Sequence, residues 1–307
     1  MNNTNNRKKL AFFMAAAIFL LSSCSPKKAT AVQPNNTDTN TIKITATFYP
    51  LYVSLLNITD GVEGIELSLL APPDTGCLHD YQLTTKDMKE IENSNILVAN
   101  GAGMEDFIEK ILETKKDSLI IASEGFELTD SNSHVWVSPE GAIHQTQRIV
   151  EGLSHLDPSN ATKYVMNGNA YLLKLQNLRN HMHSILDEYS GKKIVSFHEA
   201  FPYFASEFNL EIASVIEREP GEAPGPKELK EQISEINSII SDGNKIALFA
   251  EPQYSSSAAE IIAKETGLKV YELDPCVTGN LKSEYIKDSY ITAMKKNAEV
   301  LKEALAK

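Results

Sequence analysis

Cysteine is scarce in this chain. Three occur in 307 residues, and only Cys77 and Cys276 lie beyond the first 24 positions. Two thiols cannot staple a domain of this size, so the chain is no disulfide-built scaffold and has to fold on hydrophobic cores. Positive charge is short as well: 29 Lys and Arg stand against 41 Asp and Glu, a formal net charge of −12. That balance argues against a nucleic-acid partner and mildly favours cations. One apolar run, Leu10 to Leu21, is followed by no second one long enough to cross a bilayer. Nor is there a close sequence repeat between the two halves, although both show the same alternation of elements.

The amino terminus has a recognisable order. Arg7, Lys8 and Lys9 precede the apolar run, which closes on Leu21-Ser22-Ser23-Cys24. The run is too short for a spanning helix with stop-transfer flanks and reads as an export signal. Its end resembles the lipobox of bacterial lipoproteins. That resemblance implies cleavage of 1–23, a lipid on Cys24, and an extracytoplasmic protein anchored to the bacterial cell membrane. The other reading is a plain secretory signal with an incidental cysteine. Residues 24–41, with Pro, Asn, Thr and Lys and no apolar period, read as a tether. Residues 1–23 carry three positive charges and no negative one, so the chain after them has a net charge of −15.

Beyond the tether the chain is long enough for two domains with their own cores. Ile42, Ile44, Ala46 and Phe48 alternate with Lys43, Thr45 and Thr47, the period of a strand. Further strands are predicted at 65–70, 96–98 and 119–122, with helices at 51–58, 85–93, 104–114 and 138–153. Ser138-Pro139 supplies an N-cap followed by proline at the first helical position. The second half repeats the scheme, with strands at 193–197, 211–216, 245–249 and 269–273 and helices at 200–208, 226–240, 256–266 and 283–305. Between the halves, Tyr171, Leu175, Leu178, Met182, Ile185 and Tyr189 recur at steps of four and three, one apolar stripe of a long helix. Asp157-Pro158 reads as its start and Gly191 as its left-handed stop. The fold class is therefore α/β: two lobes, 42–156 and 191–307, each a four-stranded parallel sheet with helices on both faces, joined by one long rigid helix over 157–190.

Open parallel sheets bind ligands beyond the carboxyl ends of their strands. His79 follows the second predicted strand, His134 the fourth and His198 the fifth, while Asp274 ends the last. Singly, each has an ordinary explanation: a loop cap, a buried histidine bonded to a carbonyl, a turn residue before proline. Together, two from each lobe, they suit a divalent cation, and three imidazoles with one carboxylate suit tetrahedral zinc. His144, His155, His181 and His183 fall within or beside helices and read as solvated or packing residues.

Several segments of the chain from Ile42 onward resemble one family, the metal-binding lipoproteins that serve zinc and manganese ABC importers. They are Phe48-Tyr49-Pro50-Leu51-Tyr52, Gly76 to Tyr81, His134-Val135-Trp136, His198-Glu199-Ala200-Phe201, Glu251-Pro252-Gln253 and Asp274-Pro275. The resemblance implies two α/β lobes on a rigid helix, and His79, His134, His198 and Asp274 as ligands. It also implies a monomeric carrier with an ABC permease as partner, and no catalysis. Departures are Leu78 where the family usually has proline, Gln82-Leu83 where it often has Glu-Pro, and Ser138 for a common aspartate. The segment Thr129 to Ser133 is short and lacks the histidines that zinc members often carry there. His198, where manganese members usually have a carboxylate, makes the set nitrogen-rich and favours Zn²⁺, with Mn²⁺ the alternative.

Two other functions compete. A zinc hydrolase would use three His ligands, an open position and Glu199 or Glu251 as base; a fourth protein ligand closes that position. A surface adhesin role is neither supported nor excluded. Cys77 and Cys276, two residues from His79 and Asp274 respectively, have three outcomes: a disulfide across the cleft, thiols acting as extra or substitute ligands, or small apolar residues near turns.

Overall fold

The computed structural model describes residues 41–216, 224–243, 245–253 and 257–306. The expected signal, Cys24 and the tether up to residue 40 lie outside the described residues. Strands and helices alternate: β1 (Ile42–Ala46), α1 (Tyr49–Ile58), β2 (Ile65–Leu69), α2 (Thr85–Asn93), β3 (Ile96–Ala99), α3 (Glu109–Thr114) and β4 (Leu119–Ile121). Two helices follow in succession, α4 (Pro139–Leu156) and α5 (Ala161–Leu186). The second half comprises β5 (Lys193–Ser196), α6 (Pro202–Glu207), β6 (Glu211–Val215), α7 (Pro226–Ser241), β7 (Ile246–Ala250), α8 (Ser257–Thr266), β8 (Val270–Glu272) and α9 (Ser289–Leu305).

Each lobe holds a four-stranded parallel sheet, in the order β2-β1-β3-β4 and β6-β5-β7-β8. The two orders are the same, and each reverses direction between its first and third strands. The central strands are buried on both faces, as parallel sheets covered by helices must be. Every residue of β3 is buried, and so are Thr45 in β1 and Thr47 just past it.

Local chemistry sets several boundaries. Thr84 and Asp87 close a reciprocal capping box at the start of α2. Ser138 accepts from Gly141 N–H at 3.0 Å, so α4 begins where Ser138-Pro139 predicts. The long helix begins four residues later than Asp157. Asp157 instead ends α4, and its carboxylate accepts from Ser159, from Asn160 and from Tyr164 Oη, the last two at 2.8 Å each. That side chain organises the turn over 158–160, and the helix begins only after it. The helix therefore runs Ala161–Leu186, about 39 Å at 1.5 Å per residue, and a 3-10 turn at Asp187–Tyr189 extends it before Gly191 at φ 76°.

α5 buries Tyr164, Gly168, Tyr171, Leu175, Leu178, Met182 and Leu186 against α1, α4 and α9, elements of both lobes. Gly168 permits the close approach to α4: a Cβ there would meet Val150 Cγ2 at 2.3 Å. The main hydrophobic core spans both lobes, from Phe48 and Trp136 through Leu178 and Phe204 to Tyr290, and smaller clusters form around Leu248 and Ile262 and around Ile91 and Leu97. The described residues belong to a single compact unit around the main core. Trp136 ties the lobes directly, donating from Nε1 to Pro275 O at 2.8 Å while its own carbonyl accepts from Tyr290 Oη at 2.8 Å.

Candidate metal centre

Four side chains converge at the carboxyl ends of the sheets. Cys77 precedes and His79 occupies a 3-10 turn, Leu78–Asp80, after β2. His134 opens a second 3-10 turn, Val135–Val137, after β4, and His198 lies two residues past β5. Each offers one donor atom, and all four atoms fall within 4.8 Å of one another. Bonds of about 2.0–2.3 Å from one ion span gaps of that size with small side-chain adjustments. Cys77 Sγ is 3.0 Å from His79 Nδ1 and 3.5 Å from His134 Nε2. The rings of His79 and His134 are 5.4 Å apart and those of His134 and His198 4.8 Å. Cys77, His134 and His198 are buried and His79 half-buried.

The imidazoles are held from behind. His198 Nδ1 lies 2.7 Å from Glu251 Oε1, so it donates there and leaves Nε2 facing inward, buried and without a hydrogen-bond partner. Glu251 is itself held by Gln253 Nε2 at 2.7 Å. His134 Nδ1 lies 3.1 Å from Asn132 Oδ1, which turns Nε2 towards the sulfur. His79 Nε2 is 3.3 Å from Ser133 Oγ. Beneath this loop, Asn100 Nδ2 donates to Ser133 O at 2.9 Å, and Asn100 Oδ1 accepts from Gln145 at 2.7 Å. Ligating histidines in metal sites are commonly fixed in this way through the nitrogen away from the ion.

The electrostatics suit a cation. Burial raises the Cys77 thiol, but His134, His198 and His79 around it outweigh burial and hold it well below the usual thiol range. Burial lowers His198, yet the facing Cys77 sulfur and Glu251 carboxylate lift it to about 10. His134 goes down, through burial first and then the neighbouring imidazoles, against the pull of Cys77. Burial pushes Glu251 up, opposed by His198. The lowered thiol suits a positive ion, whereas the raised His198 has to give up its proton before its inward nitrogen can bind one.

One expectation needs correction, the disulfide, and Asp274 is not among the four donors whose atoms lie within 4.8 Å of one another. Its Oδ1 accepts from Cys276 N–H at 2.7 Å, closing a turn two residues long, and Asn297 anchors the same turn by accepting from Asp274 N–H and donating to its carbonyl. The disulfide between Cys77 and Cys276 is not formed; both are thiols. Cys77 Sγ points among the imidazoles, while Cys276, at φ 62°, directs its sulfur to Asp274 O at 3.6 Å. Burial and the Asp274 charge raise the Cys276 thiol well above its usual range. Of the three outcomes weighed for Cys77, its placement matches that of a substitute ligand. His144 donates to Glu124 O at 2.9 Å, and His183 pairs with Asp187 at 2.7 Å, away from the cluster.

Two parallel-sheet lobes with convergent soft and nitrogen donors between them define a metal-binding protein of the substrate-binding class. Residues 44–304 match the family model described as zinc-uptake complex component A, periplasmic, and the chain belongs to that family. It is an extracytoplasmic substrate-binding component of a metal-uptake system, not an enzyme. The high-affinity zinc uptake system protein ZnuA of Bacillus subtilis (strain 168) is 25% identical, over 96% of both chains. The zinc-binding lipoprotein AdcA of Streptococcus pneumoniae (strain R6) is 26% identical over 96% of this chain, which matches 61% of that protein's length. Among solved structures, the substrate-binding protein FpvC of Pseudomonas aeruginosa in complex with Mn²⁺ superposes with a TM-score of 0.76 at 28% identity, covering 86% of this chain and 98% of that one. Zn(II)-bound AdcA from Streptococcus pneumoniae gives 0.73 at 26% identity, covering 87% and 58%.

Proposed function

We propose that the protein captures Zn²⁺ outside the cytoplasm and hands it to an ABC permease, held at the membrane by a lipid on Cys24 and acting as a monomer. The cargo site in this reading is Cys77 Sγ with one nitrogen each from His79, His134 and His198. The observation that carries it is the convergence of those four donor atoms within 4.8 Å. The inward His198 Nε2, buried with no hydrogen-bond partner, is the kind of atom a metal satisfies. One thiolate and three imidazoles suit tetrahedral zinc. They disfavour Mn²⁺, which prefers carboxylate and carbonyl oxygen, so the Mn²⁺ complex of the FpvC neighbour does not transfer to this site. With Cys77 as a fourth protein ligand no position stays open for a reacting water, in keeping with binding and release rather than hydrolysis.

Release requires that ligands from the two lobes part, since Cys77, His79 and His134 come from one and His198 from the other. The shared core and the Trp136 link confine this to loop-scale displacement. Competition titration of the metal-stripped protein tests the reading. Single Cys77→Ala, His134→Ala and His198→Ala variants are expected to lose at least 100-fold in zinc affinity and Asp274→Ala much less. Undiminished affinity in two of the first three would refute the site.

A further inference from the structure

Asn132 does two things at once, and neither is explained by the fold. Its Oδ1 accepts from the His134 backbone N–H at 2.9 Å and faces His134 Nδ1 at 3.1 Å, while its Nδ2 donates to Glu199 O at 2.8 Å. The amide orientation is dictated by these partners: turned over, it would set NH₂ against a backbone N–H and oxygen against a carbonyl. Nδ1 of His134 must then carry the proton, leaving the Nε2 lone pair for the cluster. Glu199 is the residue after His198, so the same amide joins the loop that carries one ligand to the loop that carries another, across the two lobes. Tyr203 reinforces the link from the second lobe, donating to Asn132 O at 2.6 Å and accepting from Thr129 N–H at 3.2 Å. Within this loop Asp130 and Ser131 both adopt the left-handed region, at φ 49° and 58°, a conformation that non-glycine residues hold only when the surroundings impose it.

We infer that Asn132 is a positioning residue for metal capture, one that fixes the His134 tautomer and latches the His134 loop to the His198 loop. The inference rests on the zinc reading above. The two tasks are separable because they use opposite ends of the amide. Asn132→Asp keeps oxygen acceptors for His134 but sets a carboxylate oxygen against Glu199 O, so it preserves the tautomer and breaks the latch. Asn132→Ala loses both.

Tautomers are read directly by ¹⁵N–¹H correlation spectra of the histidine rings in the metal-free full chain, and zinc binding by competition titration and stopped-flow release to a chelator. Wild type and Asn132→Asp should show His134 protonated on Nδ1, and Asn132→Ala a mixture with Nε2–H. Asn132→Ala should bind zinc about 10–100-fold more weakly, the usual effect of removing a residue that orients a ligating histidine. Asn132→Asp should release zinc about tenfold faster, of the order of one lost hydrogen bond between the lobes. An unchanged tautomer together with wild-type affinity in Asn132→Ala overturns the orienting role, and wild-type release from Asn132→Asp overturns the latch. If Asn132→Ala fails to fold, the Asn132→Asp release rate still decides the latch, and the wild-type tautomer, if Nε2–H, overturns the orienting role. A wild-type protein with the Nδ1–H tautomer that takes no zinc refutes the metal reading and not the positioning one.

Discussion

In each lobe the first and third strands lie side by side at the centre of the sheet, where the strand order reverses and ligands of open α/β sheets usually bind. In the second lobe the residues just past those strands are His198 and Glu251, an imidazole and the buried carboxylate that holds it. In the first lobe they are Thr47 and Asn100, and the buried carboxylate there, Glu105, touches no ligand. It accepts from Thr47 Oγ1 at 2.8 Å and from the backbone N–H groups of Asn100 and Gly101 at 2.7 and 2.9 Å. Burial pushes both carboxyls up, against their hydrogen bonds. One topology thus holds two buried glutamates in related places, one that tunes an imidazole and one that fixes backbone. The first lobe presents its donors from beyond the edge strands β2 and β4 and uses its centre as foundation.

The sharpest way to break that comparison is to remove the two charges separately. Glu251→Gln should weaken zinc binding about 10–100-fold, because the partner that orients His198 loses its charge. It should also lower the melting temperature of the metal-free protein, because the raised His198 loses the carboxylate it pairs with. Calorimetric titration and thermal unfolding of the same preparation separate the two effects. A pH series sharpens it further. His198 keeps its proton up to about 10, so at neutral pH zinc must displace it. Affinity should rise with pH, about tenfold per unit for each proton displaced, and the slope should flatten in Glu251→Gln. For the metal-free fold the sign is opposite. The raised His198 stabilises fully below its ordinary value near 6.5, and that stability is lost as pH climbs towards 10.

On the other side, Glu105→Gln should cost about 1–3 kcal/mol of stability, because its NH₂ meets the Gly101 N–H, leaving buried donors unpaired. Zinc affinity of the folded fraction should stay within a few fold. A large affinity loss here, with stability intact, would erase the distinction between the two glutamates. Thr47→Val removes only the hydroxyl that donates to Glu105 and should cost about 0.5–1.5 kcal/mol in denaturant unfolding.

What the sequence revealed follows the range of the interactions involved. Eight strands and the order of helices were legible because period and caps are local, as at Ser138-Pro139. The start of the long helix was not, because Asp157 has two local uses and the deciding partner, Tyr164 Oη, lies seven residues on. His79, His134 and His198 were legible as polar residues beyond strand ends. Asp274 shared that pattern, and its Oδ1 accepts from Cys276 N–H, a contact the strand-end pattern does not show. Cys77 could be weighed as a ligand only as one option of three, since its role depends on imidazoles as far off as His134, 57 residues along the chain. Asn132 and Ser133 gave no signal at all. The Ser133 contact with His79 exists only once the β4 loop folds over the turn after β2, and the Asn132 contact with His134, though local, is set by an amide whose other end reaches Glu199 67 residues on.

The Cys77 sulfur among the converging donors is the feature that separates the proposed site from the three-histidine, one-carboxylate set expected from the strand ends. Zinc K-edge X-ray absorption on the protein loaded with one equivalent of zinc, beside Cys77→Ser and Asp274→Ala, reads the donors directly. The wild type and Asp274→Ala should both show one sulfur at about 2.3 Å and three nitrogens at about 2.0–2.1 Å, and Cys77→Ser should lose the sulfur. A wild-type shell of nitrogen and oxygen alone, unchanged by Cys77→Ser and altered by Asp274→Ala, would contradict it.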